Sequence, residues 1–397
     1  MTALLGGLEP ATFLDRHWQK RPLLVRQAIP GFAGLPVLAG RAGRNGRNGR
    51  DGLIALANRD DATSRLVIEH PRRKRRWERH DGPFLGLDAA TLPERGWTLL
   101  VHGVESLLPG GWELLRRFDF IPAARVDDLM VSYAADGGSV GPHDDRYDVF
   151  LLQGPGRRRW KIQTGGARVV DAGAGIRVLS GFAAEDEWLL EPGDMLYLPP
   201  GVAHHGVAEG PCFTYSIGFL APTHRELVQQ FLGYLGPARA ADLDAEALLA
   251  DPDLRPARRP LALGAQMLDQ VIGILDGIRW DSDDVADFLG RFLTMPRPHV
   301  RFVPPRRPLS QADFARRLRA RGRLLLALPT RGLVHGKRLF LNGVSRVVDR
   351  ATLKMFEGLA SGRTLRLPVA VSARAAALLH EAYVAGHLDL LAPAQAQ

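Results

Sequence analysis

The sequence is poor in cysteine and has no long hydrophobic run. Its 397 residues include one cysteine, Cys212, which excludes an intrachain disulfide and suits a reducing compartment. Nowhere do about eighteen apolar residues follow one another, and the N-terminus lacks a basic segment followed by an apolar one. We therefore expect a cytoplasmic protein that neither spans a membrane nor is exported.

Acidic residues are scarce in both flanks of the chain and abundant in its middle. Lys and Arg outnumber Asp and Glu by 16 to 9 in residues 1–92 and by 17 to 5 in residues 301–397, whereas residues 93–300 carry 19 against 29. An acidic middle favours a cationic substrate, and basic flanks suit phosphate-rich surroundings such as RNA. A solvated surface whose arginine content follows genomic base composition explains the same counts equally well.

Short apolar runs alternate with Gly and Pro turns in the middle of the chain. They lie at 97–101, 129–133, 149–152, 159–162, 188–190, 196–198 and 213–219. This pattern predicts a jelly roll or barrel and disfavours a parallel α/β sheet. Before it, residues 10–19 are helix-like, the Arg/Gly-rich segment 44–52 is predicted to be a mobile loop, and the basic run 71–76 is predicted to be an exposed hairpin.

After residue 222 the hydrophobic period becomes helical. Thr223 and Glu226 form a capping box, and an apolar stripe runs along residues 267–278. That stripe must be buried, either within the chain or against a second copy. A helix signal at 310–321 precedes an Asn-Gly hairpin within 338–348, an order that resembles a winged helix. We divide the chain into an N-terminal extension (1–92), a barrel (93–222), a helical region (223–300) and a C-terminal domain (301–397).

Two distant stretches supply a candidate metal site. Gly-Pro-His-Asp-Asp at 141–145 carries His143 and Asp145, and Pro-Pro-Gly-Val-Ala-His at 199–204 carries His204. Residues two apart on an extended strand share a face, so His143 and Asp145 can reach one ion from the same side. Two imidazoles and a carboxylate, with coordination positions left open, are the ligands of non-heme Fe(II) oxygenases.

Two alternatives remain at this site. His143 and Asp145 could cap a loop while His204 is an ordinary core histidine. His205 also competes with its neighbour for the role of the third ligand.

Several motifs resemble the bacterial ribosomal oxygenases of the JmjC/cupin class. They are RVDDLM at 125–130, GPHDDRYDVF at 141–150, QGPGRRRW at 153–160 and the opening stretch 13–24. The resemblance implies a mainly β fold with α-helices: a double-stranded β-helix (the cupin/JmjC jelly roll), a helical dimerisation region and a C-terminal winged-helix-like domain. It also implies His204 as the third ligand, Fe(II) as the metal, 2-oxoglutarate and O2 as cosubstrates, and a homodimer.

The resemblance further assigns residues around the metal. Arg158 would bind the distal carboxylate of 2-oxoglutarate through its planar fork. Where a serine is expected to assist, this chain has Ala134, and Ser132 lies two residues earlier. Asp128, Met130 and Tyr147 match the substrate residues of arginyl hydroxylases, which implies hydroxylation of an arginine β-carbon in a large-subunit ribosomal protein.

Other functions stay open on the sequence. A histidyl hydroxylase of ribosomal proteins would keep the metal and 2-oxoglutarate residues and change the substrate pocket. A JmjC-type lysine demethylase fits the motifs less well. A catalytically idle cupin would serve as a ribosome-binding module, and contact of the basic flanks with ribosomal RNA is compatible with each.

Overall fold

The computed structural model describes residues 2–39, 47–73, 76–166, 168–256 and 259–391. Its N-terminal part contains α1 (Pro10–Arg16), β1 (Leu23–Val25), α2 (Pro36–Ala39), α3 (Arg47–Ala57), β2 (Thr63–Glu69) and β3 (Trp77–Asp81). The first predicted helix is present and ends at Arg16. β2 and β3 pair as a hairpin, and the described part of the basic run 71–76 lies at its exposed connection, as expected.

The prediction of a loop at 44–52 is wrong from Arg47 onward, where the chain forms α3. Residues 44–46 lie outside the described residues. Two glycines weaken the helix signal here, but Leu53 and Ala57 are fully buried on one face of α3, and this burial outweighs propensity. Gly49 is also needed for close packing, because a Cβ there would lie 2.2 Å from the carbonyl oxygen of Leu38.

The middle of the chain forms two facing antiparallel sheets. The elements are β4 (Trp97–His102), α4 (Gly111–Leu115), β5 (Val126–Ala134), β6 (His143–Asp144), β7 (Asp148–Gln153), β8 (Arg157–Gln163), β9 (Val169–Val170), β10 (Leu179–Ser180), β11 (Asp186–Leu190), β12 (Met195–Leu198), β13 (Ala203–Glu209) and β14 (Cys212–Phe219). The larger sheet has the order β1-β12-β7-β14-β5-β4-β2-β3, and the smaller has the order β11-β8-β13-β6. The predicted jelly roll is confirmed, and the N-terminal extension contributes three strands to its larger sheet.

Strand β7 shows why the apolar runs were readable as strands. Val149 and Leu151 pack with Trp160 between the two sheets. Phe150 and Leu152 point the other way, into a core that includes Phe13 of α1. Because both faces are buried, the strand is an uninterrupted apolar run.

Helices and a second small domain follow the barrel. They comprise α5 (His224–Ala240), α6 (Ala265–Asp276), α7 (Ser282–Thr294), α8 (Gln311–Arg317), β15 (Gly322–Leu326), β16 (Gly332–His335), β17 (Arg338–Leu341), β18 (Val344–Val347), α9 (Arg350–Gly362), β19 (Thr364–Leu367), α10 (Ala373–Val384) and β20 (Leu388–Leu391). Thr223 accepts a hydrogen bond from Glu226 N, as predicted for the cap. Asn342 and Gly343, both with positive φ, form the predicted hairpin turn between β17 and β18.

Helix α7 was not predicted, although Asp281 and Asp284 form a capping box at its start. None of the described helices is long and apolar enough to cross a bilayer.

Candidate active site

His143, Asp145 and His204 converge on one point. His143 in β6 lies directly opposite His204 in β13, and Asp145 follows β6 immediately. The two imidazole centroids are 4.2 Å apart, and His204 Nε2 lies 3.7 Å from Asp145 Oδ2. One ligand atom from each residue lies within 4.8 Å of the other two. This arrangement suits a single ion bound by two nitrogens and one carboxylate oxygen, with further positions open.

Backbone carbonyls orient both imidazoles. Nδ1 of His143 lies 2.9 Å from the carbonyl oxygen of Gly141, and Nδ1 of His204 lies 3.0 Å from that of Val202. Each Nδ1 therefore carries the ring proton and donates a hydrogen bond, which leaves the lone pair of each Nε2 available to bind a metal. Burial, together with the nearby His143, lowers the pKa of His204 to about 4, so its ring is neutral at pH 7. The donor set thus fits a divalent ion.

His205 does not belong to this group. Successive residues of a strand face opposite sides, and the His205 ring packs edge-on against Phe182, with centroids 6.1 Å apart. The convergence of the other three residues also disfavours their interpretation as an unrelated loop cap and core histidine. The sequence left both points open, because neither the register of β6 against β13 nor the facing of His205 can be read locally.

Arg158 is a buried cation without a carboxylate partner among the described residues. It is 3% exposed, and its Nη1 and Nη2 donate to Thr214 Oγ1 and the Gly206 carbonyl oxygen, both at 3.3 Å. Its buried Nε has no hydrogen-bond partner in the described part of the chain. Burial lowers the pKa of this guanidinium. A buried charge with spare donors is suited to binding an anionic ligand.

The other two arginines of β8 face away from the cavity. Arg157 is exposed, and Arg159 forms ion pairs with Glu187 and Glu209 on neighbouring strands. Only Arg158 of the three lines a cavity of about 390 Å³ that also contains the His143, Asp145 and His204 side chains. Because side chains alternate along a strand, Arg158 faces the cavity while Arg157 and Arg159 face solvent.

Ser132 lines the same cavity, directly opposite Thr214 in the pairing of β5 with β14. Ala134 pairs instead with Cys212 and packs in a small buried cluster with it and Ala208. Thr214, which contacts Arg158, was not identified from the sequence. Its signal was a polar residue that alternates with the buried apolar residues of β14, as Ser216 also does.

Asp128 lies in the cavity wall and is already held by groups of the protein. Its Oδ2 accepts hydrogen bonds from Gly103 N (3.0 Å) and Arg297 Nη1 (3.2 Å), and His102 Nδ1 lies 3.3 Å away. Burial alone would raise the pKa of this carboxyl, but these three groups hold it below its ordinary value. Asp128 is therefore ionised. No local pattern in the sequence predicted that His102 and Arg297 lie beside it.

Met130 and Tyr147 line the cavity near Asp128. Burial and the negative charge of Asp145 raise the pKa of the Tyr147 hydroxyl, which therefore stays protonated and can donate a hydrogen bond. The residues predicted for metal, cosubstrate and substrate thus surround one cavity.

Comparison with known proteins places this architecture in a family. Residues 113–227 match the JmjC domain, and residues 277–389 match the ROXA-like winged helix. The chain is 32% identical over 333 residues to the ribosomal protein uL16 3-hydroxylase of Escherichia coli, covering 83% of each protein. The chain belongs to the ribosomal oxygenases.

Other similarities agree with this assignment. This chain is also 38% identical over 229 residues to a probable ribosomal oxygenase of Haemophilus influenzae, and the match covers 56% of this chain and 52% of that protein. It superposes on the E. coli ribosomal oxygenase YcfD in complex with cobalt and 2-oxoglutarate with a TM-score of 0.76, 29% identity, and coverage of 96% and 98% of the two chains. The winged-helix domain is confirmed, and the protein is a 2-oxoglutarate-dependent dioxygenase.

Proposed function

We propose that this oxygenase uses Fe(II) to hydroxylate the β-carbon of an arginine in a large-subunit ribosomal protein, in the cytoplasm. The observation that carries the proposal is one cavity holding a two-histidine, one-carboxylate site, a buried Arg158 with no carboxylate partner among the described residues, and an ionised Asp128. The relatives named as ribosomal protein hydroxylase and ribosomal oxygenase support the class of substrate.

Each group in the cavity has a distinct task. His143, Asp145 and His204 would hold the metal, and Arg158 with Thr214 and Ser132 would bind the distal carboxylate of 2-oxoglutarate. When bound, iron with 2-oxoglutarate and O2 supplies the oxidant that converts a C–H bond to C–OH, with succinate and CO2 as co-products.

The substrate end of the cavity favours a cation. The Asp128 carboxylate would pair with the substrate guanidinium, while Tyr147 and Met130 would pack on its flat face and aliphatic stem. Because Asp128 and Arg158 lie on fixed strands, they would hold the guanidinium and the cosubstrate so that the β-carbon is positioned for reaction.

A reconstituted reaction tests this function. The purified protein, Fe(II), 2-oxoglutarate and ribosomal proteins should yield succinate and one protein heavier by one oxygen atom, with the oxygen mapped to an arginine by fragmentation. Oxygen mapped to a histidine would identify a histidyl hydroxylase, and formaldehyde release from methyl-lysine peptides would identify a demethylase. Absence of succinate with every ribosomal protein would contradict the proposal and favour an idle binding module.

We also propose a homodimer formed through α6. No residue of α6 is buried. Six large apolar residues of this helix are 38% to 57% exposed: Met267, Leu268, Val271, Ile272, Ile274 and Leu275. A helix of twelve residues with an exposed apolar face is stable when a second copy covers that face. Contact of the basic flanks with ribosomal RNA stays a prediction.

A further inference from the structure

A β-bulge gives Asp128 its direction. In the pairing of β14 with β5, Ile217 lies opposite Leu129 and Phe219 lies opposite Val126. One residue of β14, Gly218, therefore faces two residues of β5, Asp127 and Asp128. Such bulges redirect side chains and are frequent beside active sites.

The two oxygens of the Asp128 carboxylate have different surroundings. Oδ2 faces three donor groups, from Gly103, Arg297 and His102. Within the described part of the chain, no hydrogen bond reaches Oδ1. An ionised carboxylate has about four acceptor sites, so Oδ1 can accept donors from a ligand in the cavity.

Arg297 prevents this carboxylate from rotating. Its Nη2 lies 2.7 Å from Asp127 Oδ1 while its Nη1 lies 3.2 Å from Asp128 Oδ2, so one guanidinium joins both carboxylates. The arginine follows α7, outside the barrel sequence. The position of Oδ1 is therefore fixed before any substrate binds.

Gly218 leaves a gap beside Oδ1. Thr214, Ser216 and Gly218 occupy alternate positions of β14 and all line the cavity, but the last has no side chain. A Cβ at Gly218 would lie 3.4 Å from Asp128 Oδ1 and 3.9 Å from Tyr147 Cε2, both ordinary contacts. Its φ is not in the left-handed region, so the backbone does not require glycine here.

We propose that Gly218 is a specificity-determining residue, because its missing side chain opens a slot between Asp128 Oδ1 and the Tyr147 ring for the flat, cationic end of the substrate. This inference rests on the proposed arginine hydroxylation. A guanidinium nitrogen bound to Oδ1 would lie about 2.8 Å from it. A methyl group at position 218 would lie 3.4 Å from the same oxygen and would narrow the slot.

The test compares Gly218→Ala and Gly218→Val with Gly358→Ala, whose Cβ meets nothing within 4 Å in α9. The probe is the arginine peptide that the wild-type protein hydroxylates, measured for KM and, with Mn(II) replacing iron, for Kd. The Ala variant should weaken peptide binding at least tenfold and the Val variant further, while the KM for 2-oxoglutarate and the Tm stay unchanged. The control should match the wild type.

Three results would overturn the proposal that Gly218 determines specificity. Peptide affinity of Gly218→Ala within twofold of the wild type would show that no ligand uses the space, and wild-type hydroxylation would still uphold the proposed function. Equal losses in 2-oxoglutarate affinity or a lowered Tm would show that the glycine is structural. A wild-type protein that hydroxylates no arginine peptide would remove the function and the slot together.

Discussion

Replacing Arg158 by Met should weaken 2-oxoglutarate binding without weakening the fold. The guanidinium is 3% exposed and has no carboxylate partner among the described residues, so the ligand-free protein bears the cost of burying it. Its compensation is limited to two 3.3 Å hydrogen bonds to neutral oxygens and the ring of Trp160, 5.0 Å away. Met fills a similar volume without a charge.

The expected magnitude follows from the lost charge-assisted bonds. A hydrogen bond to a charged group contributes about 1.5–3 kcal/mol, and a bidentate Arg–carboxylate pair contains two. A loss of about 3 kcal/mol corresponds to roughly a 100-fold rise in the Kd of 2-oxoglutarate. The ligand-free Tm should be equal to or above that of the wild type.

Thermal unfolding with Mn(II), with and without 2-oxoglutarate, measures both effects. A ligand at about 100 times its Kd stabilises a protein by about 2.7 kcal/mol, and with a 100-fold higher Kd in Arg158→Met the same ligand concentration should stabilise by only about 0.4 kcal/mol. Arg157→Met is the control, because Arg157 is exposed on the opposite face of the same strand. A preserved ligand-induced shift, or a collapsed ligand-free Tm, would refute the assignment of Arg158 to the cosubstrate.

Three further changes have defined outcomes. His143→Ala should abolish metal binding, measured by Mn(II) titration, whereas His205→Ala should retain it; loss in both variants would contradict the ligand set. The pKa of Asp194 is lowered because hydrogen bonds from Gln27 N and Glu191 N and the charge of Arg26 outweigh its burial; the carboxylate therefore stabilises the fold fully above the pKa of the unfolded state, and this stabilisation is lost as the pH falls through the pKa of the folded state. Asp194→Asn should lower the Tm at pH 7 and flatten the fall of the Tm in acid. The same fall of the Tm in acid for the variant and the wild type would refute this. Val271→Asp should yield monomers in light scattering, whereas Leu85→Asp, at an isolated 90% exposed position, should not change the mass; an unchanged dimer would rule out the α6 interface.

Local patterns sufficed for much of the barrel. Strands β7, β12 and β14 are buried on both faces, so their apolar runs were unambiguous. Strand β13 was not among the predicted apolar runs, because its sequence Ala-His-His-Gly-Val-Ala-Glu mixes apolar with polar and charged residues. The metal-binding role predicted for His204 came from spacing and resemblance, and its placement opposite His143 depends on the register between two strands that are far apart in sequence.

The Asp128 end of the cavity depends on contacts that no local pattern contains. Arg297 reaches Asp128 across 169 positions of sequence, and the bulge opposite Gly218 is a property of paired strands. A substrate-binding role for Asp128 was therefore predicted from the resemblance, but the occupation of its Oδ2 by Gly103, Arg297 and His102 was not. The same limit applies to the loop predicted at 44–52. Its described part is helical because α3 buries Leu53 and Ala57, and this burial depends on tertiary contacts.

The two faces of β14 separate stability from chemistry. Tyr215, Ile217 and Phe219 are at most 1% exposed and pack in the core outside the barrel, whereas Thr214, Ser216 and Gly218 face the cavity. At about 3.4 Å per residue, the latter three span roughly 14 Å, from the Arg158 side of the cavity to the Asp128 side. Because the core face fixes the strand, cavity-face substitutions can alter cosubstrate binding at one end or substrate binding at the other without unfolding the barrel.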